Sequence, residues 1–347
     1  MEESIFRQKK RKREEEEDLP TVPQQTDDPK IKSPERKKKK PEKRQQPRKQ
    51  KYRNRRRRPK QPKVNNRPVS TENYESLYTV GERLGEGGFG VVFGGTRISD
   101  GLQVAIKFIP KQEDDRYFKS PRDSRSIPIE VALMQKMSEP PVKNIIQLIE
   151  WFDEPERYIL ILERFYPCMD LNGFIQTYGG SVSEQMARHL MIQVVEAVIE
   201  CQKRGVFHRD IKVDNILINT DTLKLKLIDF GCGDLIRRYG YSYFEGTLEY
   251  CPPEFFLKGR YCAIPATVWS LGVMLFQVVS ASFPFKDEDE ILGGQLNFKD
   301  GLSDEFHELV RLCLQAQPSS RPNLQQILDH KWFKSSFPAQ ERFCQFL

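Results

Sequence analysis

One stretch of this 347-residue chain packs several chemically capable side chains into eight positions: His208-Arg209-Asp210-Ile211-Lys212-Val213-Asp214-Asn215. A carboxylate, an ammonium and a carboxamide fall within six residues of one another, and Asp229-Phe230-Gly231 begins fourteen positions after Asn215. Those types suit phosphoryl transfer, which needs negative charge neutralised and an accepting hydroxyl oriented, with little covalent chemistry from the protein. Asp210 has the character to orient a hydroxyl or accept its proton, and Lys212 to stabilise the transferring group. Asn215 and Asp229 offer oxygen ligands to Mg2+, a hard cation.

Two further clusters supply a hold on nucleotide phosphates. Gly85-Glu86-Gly87-Gly88-Phe89-Gly90-Val91-Val92 carries a G-x-G-x-x-G spacing. Alone it is a weak signal, because dinucleotide-binding folds use it where a strand opens into a helix. Here the strand-like VVFGGTRI follows, so the glycines read as a hairpin over phosphates, where a missing Cβ lets the backbone approach. Val104-Ala105-Ile106-Lys107 ends a second strand-like run in a lysine that can turn inward to the α- and β-phosphates. Such a lysine needs a carboxylate to hold it. Glu130, in IPIEVALMQKM, is expected about one turn into a helix and suits that role.

These groups require a frame. From about Tyr74, runs of strand length and β-branched content alternate with turns: YTVGERLG, VVFGGTRI, LQVAIKFIP, NIIQLIEWF and RYILILE. From about residue 169 the pattern turns helical. In SVSEQMARHLMIQVVEAVIECQKRG the apolar residues recur at helical spacing, with Ser181 and Glu184 expected as a capping box and Gly205 as the stop. ILI and LKLKLI are expected to be short strands that bring Asn215 and Asp229 together. A β-rich front and an α-rich back predict two lobes joined near residues 163–169. Residues 261–285 contain no charged side chain, so they fit either a membrane span or a helix buried on all sides in a large core. Pro265, Gln277, Pro284 and three serines favour the buried helix.

Composition divides the chain once more. Residues 1–70 hold 26 Lys and Arg against 11 Asp and Glu, a charge of +15, which leaves −8 on the remainder. The tail has too few apolar residues to offset the entropy of ordering and is predicted to be disordered. Its runs KRKR (10–13), KKKK (37–40) and RRRR (55–58) fit nuclear-import signals or a nucleic-acid patch, with a merely solvated tail as the alternative. Ser33-Pro34 is a candidate phosphosite. Seven cysteines with no CxxC pair predict reduced thiols and a cytoplasmic or nuclear protein, four scattered histidines argue against a zinc site, and no apolar signal segment opens the chain.

The order of glycine hairpin, strand lysine, helix glutamate, H-R-D, D-F-G, Pro252-Pro253-Glu254, Trp269-Ser270-Leu271-Gly272 and the late Arg321 resembles the eukaryotic protein kinase family over about residues 76–334. The resemblance implies an α+β bilobal kinase fold: a β-rich N-lobe (75–163), a hinge (164–169) and a helical C-lobe (170–334), between a basic tail (1–74) and a C-terminal tail (335–347). It implies ATP and Mg2+ as cofactors and Lys107, Glu130, Asp210, Lys212, Asn215 and Asp229 as the catalytic set, with the metal on Asn215 and Asp229. It extends the nucleotide site over Leu84 to Val92 (Leu84, Gly85, Glu86, Gly87, Gly88, Phe89, Gly90, Val91, Val92), Ala105 and Leu217. Leu162 becomes the gatekeeper, the Glu163 carbonyl a partner for the adenine amino group, and Asp170 a contact for the ribose. Glu254 is expected to pair with Arg321, which a membrane span at 261–285 would prevent, so 266–280 becomes the buried central helix of the C-lobe. Lys212, with Gly246-Thr247 ahead of P-P-E, resembles serine/threonine rather than tyrosine kinases. LILER before a proline-containing turn, KLIDFGCG, FEGTLEYCPPE, TVWSLGVMLF and PFKDEDEI resemble the PIM subfamily. So does Thr267, where most kinases carry an Asp that holds the catalytic loop.

Finer expectations follow. Tyr239, Tyr241, Ser242, Tyr243 and Thr247 are candidate phosphosites between Asp229 and Glu254, but Thr247 is expected to be structural, and Glu245 or other local acids to order the loop without phosphate. Asp170, Asp214, Asp234 and the Asp287–Glu290 run are candidates for a peptide groove that selects basic residues upstream of the acceptor, with a solvated acidic face as the alternative for the run. The expected partners are therefore basophilic protein substrates, with nucleic acid or an import receptor as a candidate for residues 1–70, no membrane, and a monomeric chain. The tail is also a candidate occupant of the groove in cis. A pseudokinase scaffold and a tail-tethered kinase are the competing functions. Phe165 stands where PIM kinases have proline, so this hinge is expected to offer adenine a second N–H. Cys232 and Cys251 are weak candidates for redox sensitivity.

Overall fold

Residues 73–88, 90–119 and 126–334 are described by the computed structural model. The expectations for residues 1–72 (including the import runs and Ser33), for Phe89 and for residues 335–347 with Cys344 lie outside them.

A one-turn helix α1 (Tyr74–Leu77), capped by the Asn73 side chain, leads into β1 (Tyr78–Gly87), β2 (Gly90–Arg97) and β3 (Gln103–Pro110). Two short paired strands, β4 (Tyr117–Lys119) and β5 (Ser126–Pro128), precede helix α2 (Ile129–Ser138). β6 (Leu148–Asp153) and β7 (Arg157–Glu163) complete an antiparallel five-stranded sheet of order β1-β2-β3-β7-β6. The unbroken apolar run on β7 is explained by period-two burial on both faces. Ile159 and Ile161 pack into a small outer core with Tyr74, Val104, Ile106 and Phe152, whereas Tyr158, Leu160 and Leu162 face α2 and join the main core. Glu130 sits in the first turn of α2, nearer its start than expected.

The helical half begins with β8 (Cys168–Asp170) and α3 (Leu171–Thr177). The long amphipathic α4 (Glu184–Lys203) follows, and Gly205 turns the chain at its end with φ of 71°. The cap of α4 differs from expectation: Ser183, not Ser181, accepts the Met186 N–H at 3.3 Å. Glu184 instead reaches out of its own helix, to the Ser303 N–H and hydroxyl at 2.7 and 2.6 Å and the Trp332 indole at 2.6 Å. Short strands β9 (Val206–Phe207), β10 (Ile216–Asn219), β11 (Leu225–Leu227) and β12 (Asp234–Leu235) frame the catalytic loops. The β10–β11 hairpin pairs Ile216 with Leu227, as the ILI and LKLKLI runs predict. Helices α5 (Pro253–Lys258), α6 (Ala263–Ser280), α7 (Glu288–Gly293), α8 (Asp304–Cys313), α9 (Leu324–Asp329) and α10 (Lys331–Lys334) complete the lobe. The uncharged stretch is α6; it is long and apolar enough to cross a membrane, but 78% of it is buried inside the protein, which is where its lack of charge comes from.

Candidate active site

The two lobes meet on Lys107. Its position on β3, opposite Val92 of β2 and Leu160 of β7, points the side chain under the sheet. The ammonium donates to Glu130 Oε1 at 2.8 Å and to Asp229 Oδ1 at 3.0 Å, so one cation joins helix α2 to the Asp-Phe-Gly loop. Burial opposes the charge on Lys107, but Glu130 and Asp229 outweigh it and hold the pKa above the ordinary lysine value. Burial likewise pushes the Glu130 carboxyl up, against the pull of Lys107, while Lys107 brings Asp229 below the ordinary carboxylate value despite its burial. Asp229 has φ of 60°, and its Oδ1 also accepts the Gly231 N–H at 3.1 Å. A left-handed aspartate is strained backbone of the kind that concentrates at functional sites.

The catalytic-loop groups come together as their spacing predicts. Asn215 Nδ2 donates to the Asp210 carbonyl and to Asp210 Oδ2, both at 2.8 Å. Asp210 Oδ1 accepts the Thr247 N–H at 3.0 Å and its hydroxyl at 2.8 Å. Lys212 lies 3.1 Å from Asp210 Oδ2 and donates to the Thr247 hydroxyl at 2.7 Å, which gives Thr247 the structural place expected of it. Gly246 makes this approach feasible: its φ is 125°, and a Cβ there would stand 2.7 Å from the Arg209 carbonyl. His208 is buried, which lowers its pKa and keeps the ring neutral. In that form Nε2–H donates to the Ile228 carbonyl at 2.9 Å and Nδ1 accepts the Asp210 N–H at 3.3 Å, so both nitrogens are satisfied.

Gly85, Glu86 and Gly87 on β1 pair with Val92, Val91 and Gly90 on β2, which gives a hairpin with Gly88 in the turn. Gly90 is required by the protein itself, since with φ of 137° a Cβ would stand 2.1 Å from the Phe108 carbonyl. A Cβ at Gly85, Gly87 or Gly88 would meet open space. Leu84 is surface-exposed on β1, and Ala105 on β3 pairs with Leu162 on β7. Leu217 on β10 pairs with Asp170 on β8. The Asp170 carboxylate caps α3, with Oδ1 accepting the Gly173 N–H at 2.8 Å. The Glu163 side chain accepts from Lys226 Nζ at 2.5 Å and from the Gln147 N–H at 3.0 Å. In the hinge, the Phe165 carbonyl accepts the Cys168 thiol at 2.8 Å, and the Phe165 ring packs on the main core.

The activation segment is pinned by charge. Arg209, whose side chain is fully buried, donates to Glu245 at 2.8 Å and stacks on Tyr241 and Tyr243 with ring centroids 4.5 and 5.0 Å away. Glu245 therefore occupies the place beside Arg209 that the sequence assigned to a local acid. Asp234 departs from expectation. It is buried rather than lining a groove, and it meets Arg237 at 2.7 Å, Arg116 at 3.3 Å and Arg209 at 3.6 Å. Asp214 stays exposed, and the Asp287–Glu290 run starts α7, with Asp287 capping the Glu290 N–H at 2.9 Å. Thr267 donates to the Ala263 carbonyl of its own helix at 2.8 Å, so it does not stand in for the missing Asp; it lines a small cavity together with His208 and Ile211. Glu254 and Arg321 form a buried fork-to-fork pair at 2.6 and 2.9 Å, as expected. The six described cysteines are free, and burial pushes the Cys232 and Cys251 thiols far up, which disfavours the reactive thiolate.

The donor set fits a magnesium–nucleotide. With Nδ2 held on Asp210, Asn215 presents its carbonyl oxygen, and Asp229 has a second carboxylate oxygen beyond the one on Lys107. Among the described residues there is no cluster of three or more His, Cys, Asp or Glu able to hold a metal. Two protein oxygens suit Mg2+, which keeps waters and phosphate oxygens as its remaining ligands.

A β-sheet lobe and a helical lobe with this constellation between them define a protein kinase, and the family model for the protein kinase domain matches residues 78–333; the chain belongs to that family. Within it, the chain groups with PIM-like serine/threonine kinases. It is 41% identical over 271 residues to serine/threonine-protein kinase pim-2 of Danio rerio, covering 76% of this chain and 87% of that protein. It is 39% identical over 265 residues to serine/threonine-protein kinase prk-2 of Caenorhabditis elegans, covering 75% of this chain and 59% of that protein. A PAS domain-containing serine/threonine-protein kinase of Mus musculus is 31% identical over 262 residues, but that match covers only 18% of the relative.

Arg116 and the buried role of Asp234 had no local signature in the sequence. The partners of the Arg116 side chain lie more than a hundred positions away, and several are backbone carbonyls.

Proposed function

We propose that this chain is an active serine/threonine kinase that transfers the γ-phosphoryl group of ATP, with Mg2+, to protein substrates carrying basic residues upstream of the acceptor. The observation that carries the reading is Lys107 bonded at once to Glu130 and Asp229, because that triad brings the nucleotide-holding and metal-holding groups together. Asp210 is held by donors on both oxygens, which aims it as the group that orients the substrate hydroxyl and takes its proton. Lys212, shared between Asp210 and Thr247, lies where it can neutralise charge on the transferring group. When bound by Asn215 and Asp229, Mg2+ supplies neutralisation of phosphate charge. The open space above Gly85, Gly87 and Gly88 supports close approach of phosphates to the hairpin backbone.

A complete set of these groups favours turnover over a nucleotide-binding scaffold. The preference for basic substrates follows from charge: the described domain is acidic, and with Asp234 withdrawn from the candidate groove, Asp170, Asp214 and the Asp287–Glu290 run remain to line it. The Glu245–Arg209 pair supports activity without loop phosphorylation. For residues 1–70 we propose nuclear import with a cytoplasmic and nuclear distribution, and a salt titration of this segment on nucleic acid tests the tether alternative, whose affinity should fall steeply with salt. The main test is phosphate transfer to a degenerate peptide library, with Asp210→Asn as control. Transfer to Ser and Thr after upstream Arg or Lys, lost in the control, is the expected result; no transfer by the wild type overturns the reading.

A further inference from the structure

Between β3 and the β4–β5 pair, Arg116 makes contacts that neither the catalytic motifs nor the family comparisons assign. Its carbonyl accepts the N–H of Ile129, the first residue of α2, at 2.8 Å. Its side chain runs the other way. Nη2 donates to the carbonyl of Gly233 at 3.0 Å and lies 3.4 Å from that of Cys232, the residues that follow Asp229-Phe230-Gly231. The same nitrogen is 3.0 Å from Glu245, the carboxylate bonded to Arg209, while Nη1 meets Asp234 at 3.3 Å. One residue thus grips the start of the helix that carries Glu130 and the loop that carries Asp229.

We propose that Arg116 is a positioning residue for phosphoryl transfer, a clamp that keeps α2 and the activation segment in register so that Glu130 and Asp229 both stay on Lys107. This rests on the kinase reading above. The planar fork is what the site requires: it serves two carboxylates and a run of carbonyls at fixed angles, which the point charge of a lysine cannot do. Loss of Arg116 leaves no orphaned buried charge, because Asp234 keeps Arg209 and Arg237, and Glu245 keeps Arg209. The fold should therefore survive the substitution while the coupling is lost.

The experiment compares the full wild-type chain with Arg116→Ala, Arg116→Lys, Glu245→Gln and the Arg116→Ala/Glu245→Gln double variant. It reads steady-state peptide phosphorylation and amide hydrogen exchange. Arg116→Ala should lower kcat at least five-fold, with KM for peptide within two-fold, and should speed exchange in residues 229–235 and 244–247. Arg116→Lys should fall between the two, and it carries the comparison should the alanine variant fail to fold. The double variant should be less impaired than the product of the single effects, because both remove parts of one network. Unchanged exchange with kcat within two-fold of wild type overturns the proposal, and so do independent, multiplying effects. A wild-type chain without transfer activity refutes the kinase reading alone; the exchange comparison still decides the clamp.

Discussion

Replacing the buried Arg321 by Ala should strongly destabilise the C-lobe. The guanidinium is nearly inaccessible, its side chain 1% exposed and that of Glu254 4%. It donates to both Glu254 oxygens, to the carbonyls of Gln315 and Pro265 at 2.8 and 2.9 Å, and lies 4.9 Å from the centroid of the Trp269 ring. Truncation leaves a buried, uncompensated carboxylate at the start of α5, where the activation segment is anchored. Breaking a buried pair by removing one partner costs about 3–5 kcal/mol, a large part of the ~5–15 kcal/mol that holds a typical domain together. For a domain of this size that corresponds to a fall in Tm of roughly 6–20 °C. Arg321→Lys keeps the charge but gives up the fork, so its loss should be intermediate, about 1–3 kcal/mol for the buried acceptors left unmet. The double variant Arg321→Met/Glu254→Leu removes both charges and should recover much of the loss. Thermal and urea unfolding of the nucleotide-free protein measure all three. A loss below ~1 kcal/mol for Arg321→Ala would refute the reasoning, since it would mean that Glu254 finds water or another partner without the arginine.

Three further outcomes are expected. Because burial lowers the His208 pKa in the folded state, the unfolded chain binds more protons as the pH drops, so stability should be full above the unfolded value of about 6.5 and decline as the pH falls through the folded value; denaturation midpoints between pH 7.5 and 5 should show a shallower slope for His208→Tyr, and an identical slope counts against the assignment. Inhibitors that bond the hinge at two points should bind wild type about three- to ten-fold more tightly than Phe165→Pro, the value of one hydrogen bond, and equal affinities in a titration would show that the Phe165 N–H points elsewhere. Ser242→Ala protein made without other kinases should keep its peptide activity, since Glu245 already pairs with Arg209; inactivity would show that the loop needs phosphate.

The meeting of the catalytic-loop candidates was legible because their spacing is local, whereas Lys107 meets Glu130 and Asp229 from 23 and 122 positions away and was placed by motif order alone. Asp210, Lys212 and Asn215 share one loop, and the two runs after Asn215 form the expected hairpin that returns Asp229 to it. The strand and helix textures likewise followed from burial, as β7 and α6 illustrate. What escaped the sequence depends on distant partners. Glu184 has the spacing of a capping box with Ser181, yet Ser303 and Trp332, both over a hundred positions later, outbid the local arrangement. Asp234 looked like one more acid on an acidic surface, and only the convergence of Arg116, Arg209 and Arg237 takes it inside.

The tie between Glu163 and Lys226 has a consequence for how ligand leaves the cleft. Lys226 belongs to β11 of the helical lobe, and Glu163 is the last residue of the N-terminal sheet, also bonded through its N–H to the Gln147 carbonyl at 3.0 Å. The back of the cleft is therefore riveted at the point where a rigid swing of one lobe away from the other would need to begin. The glycine hairpin, by contrast, is flanked by exposed β1 residues: Glu82 ahead of it reaches Arg164 of the hinge at 3.3 Å, but among the described residues none from Gly85 to Gly90 bonds a side chain to the helical lobe. Ligand exit should then proceed by lifting of this flap more than by a wide yawn of the lobes. Residence time then depends on how firmly the two lobes are tied, and loosening the rivet with Lys226→Ala should shorten it, as the dissociation rate of a labelled nucleotide would read.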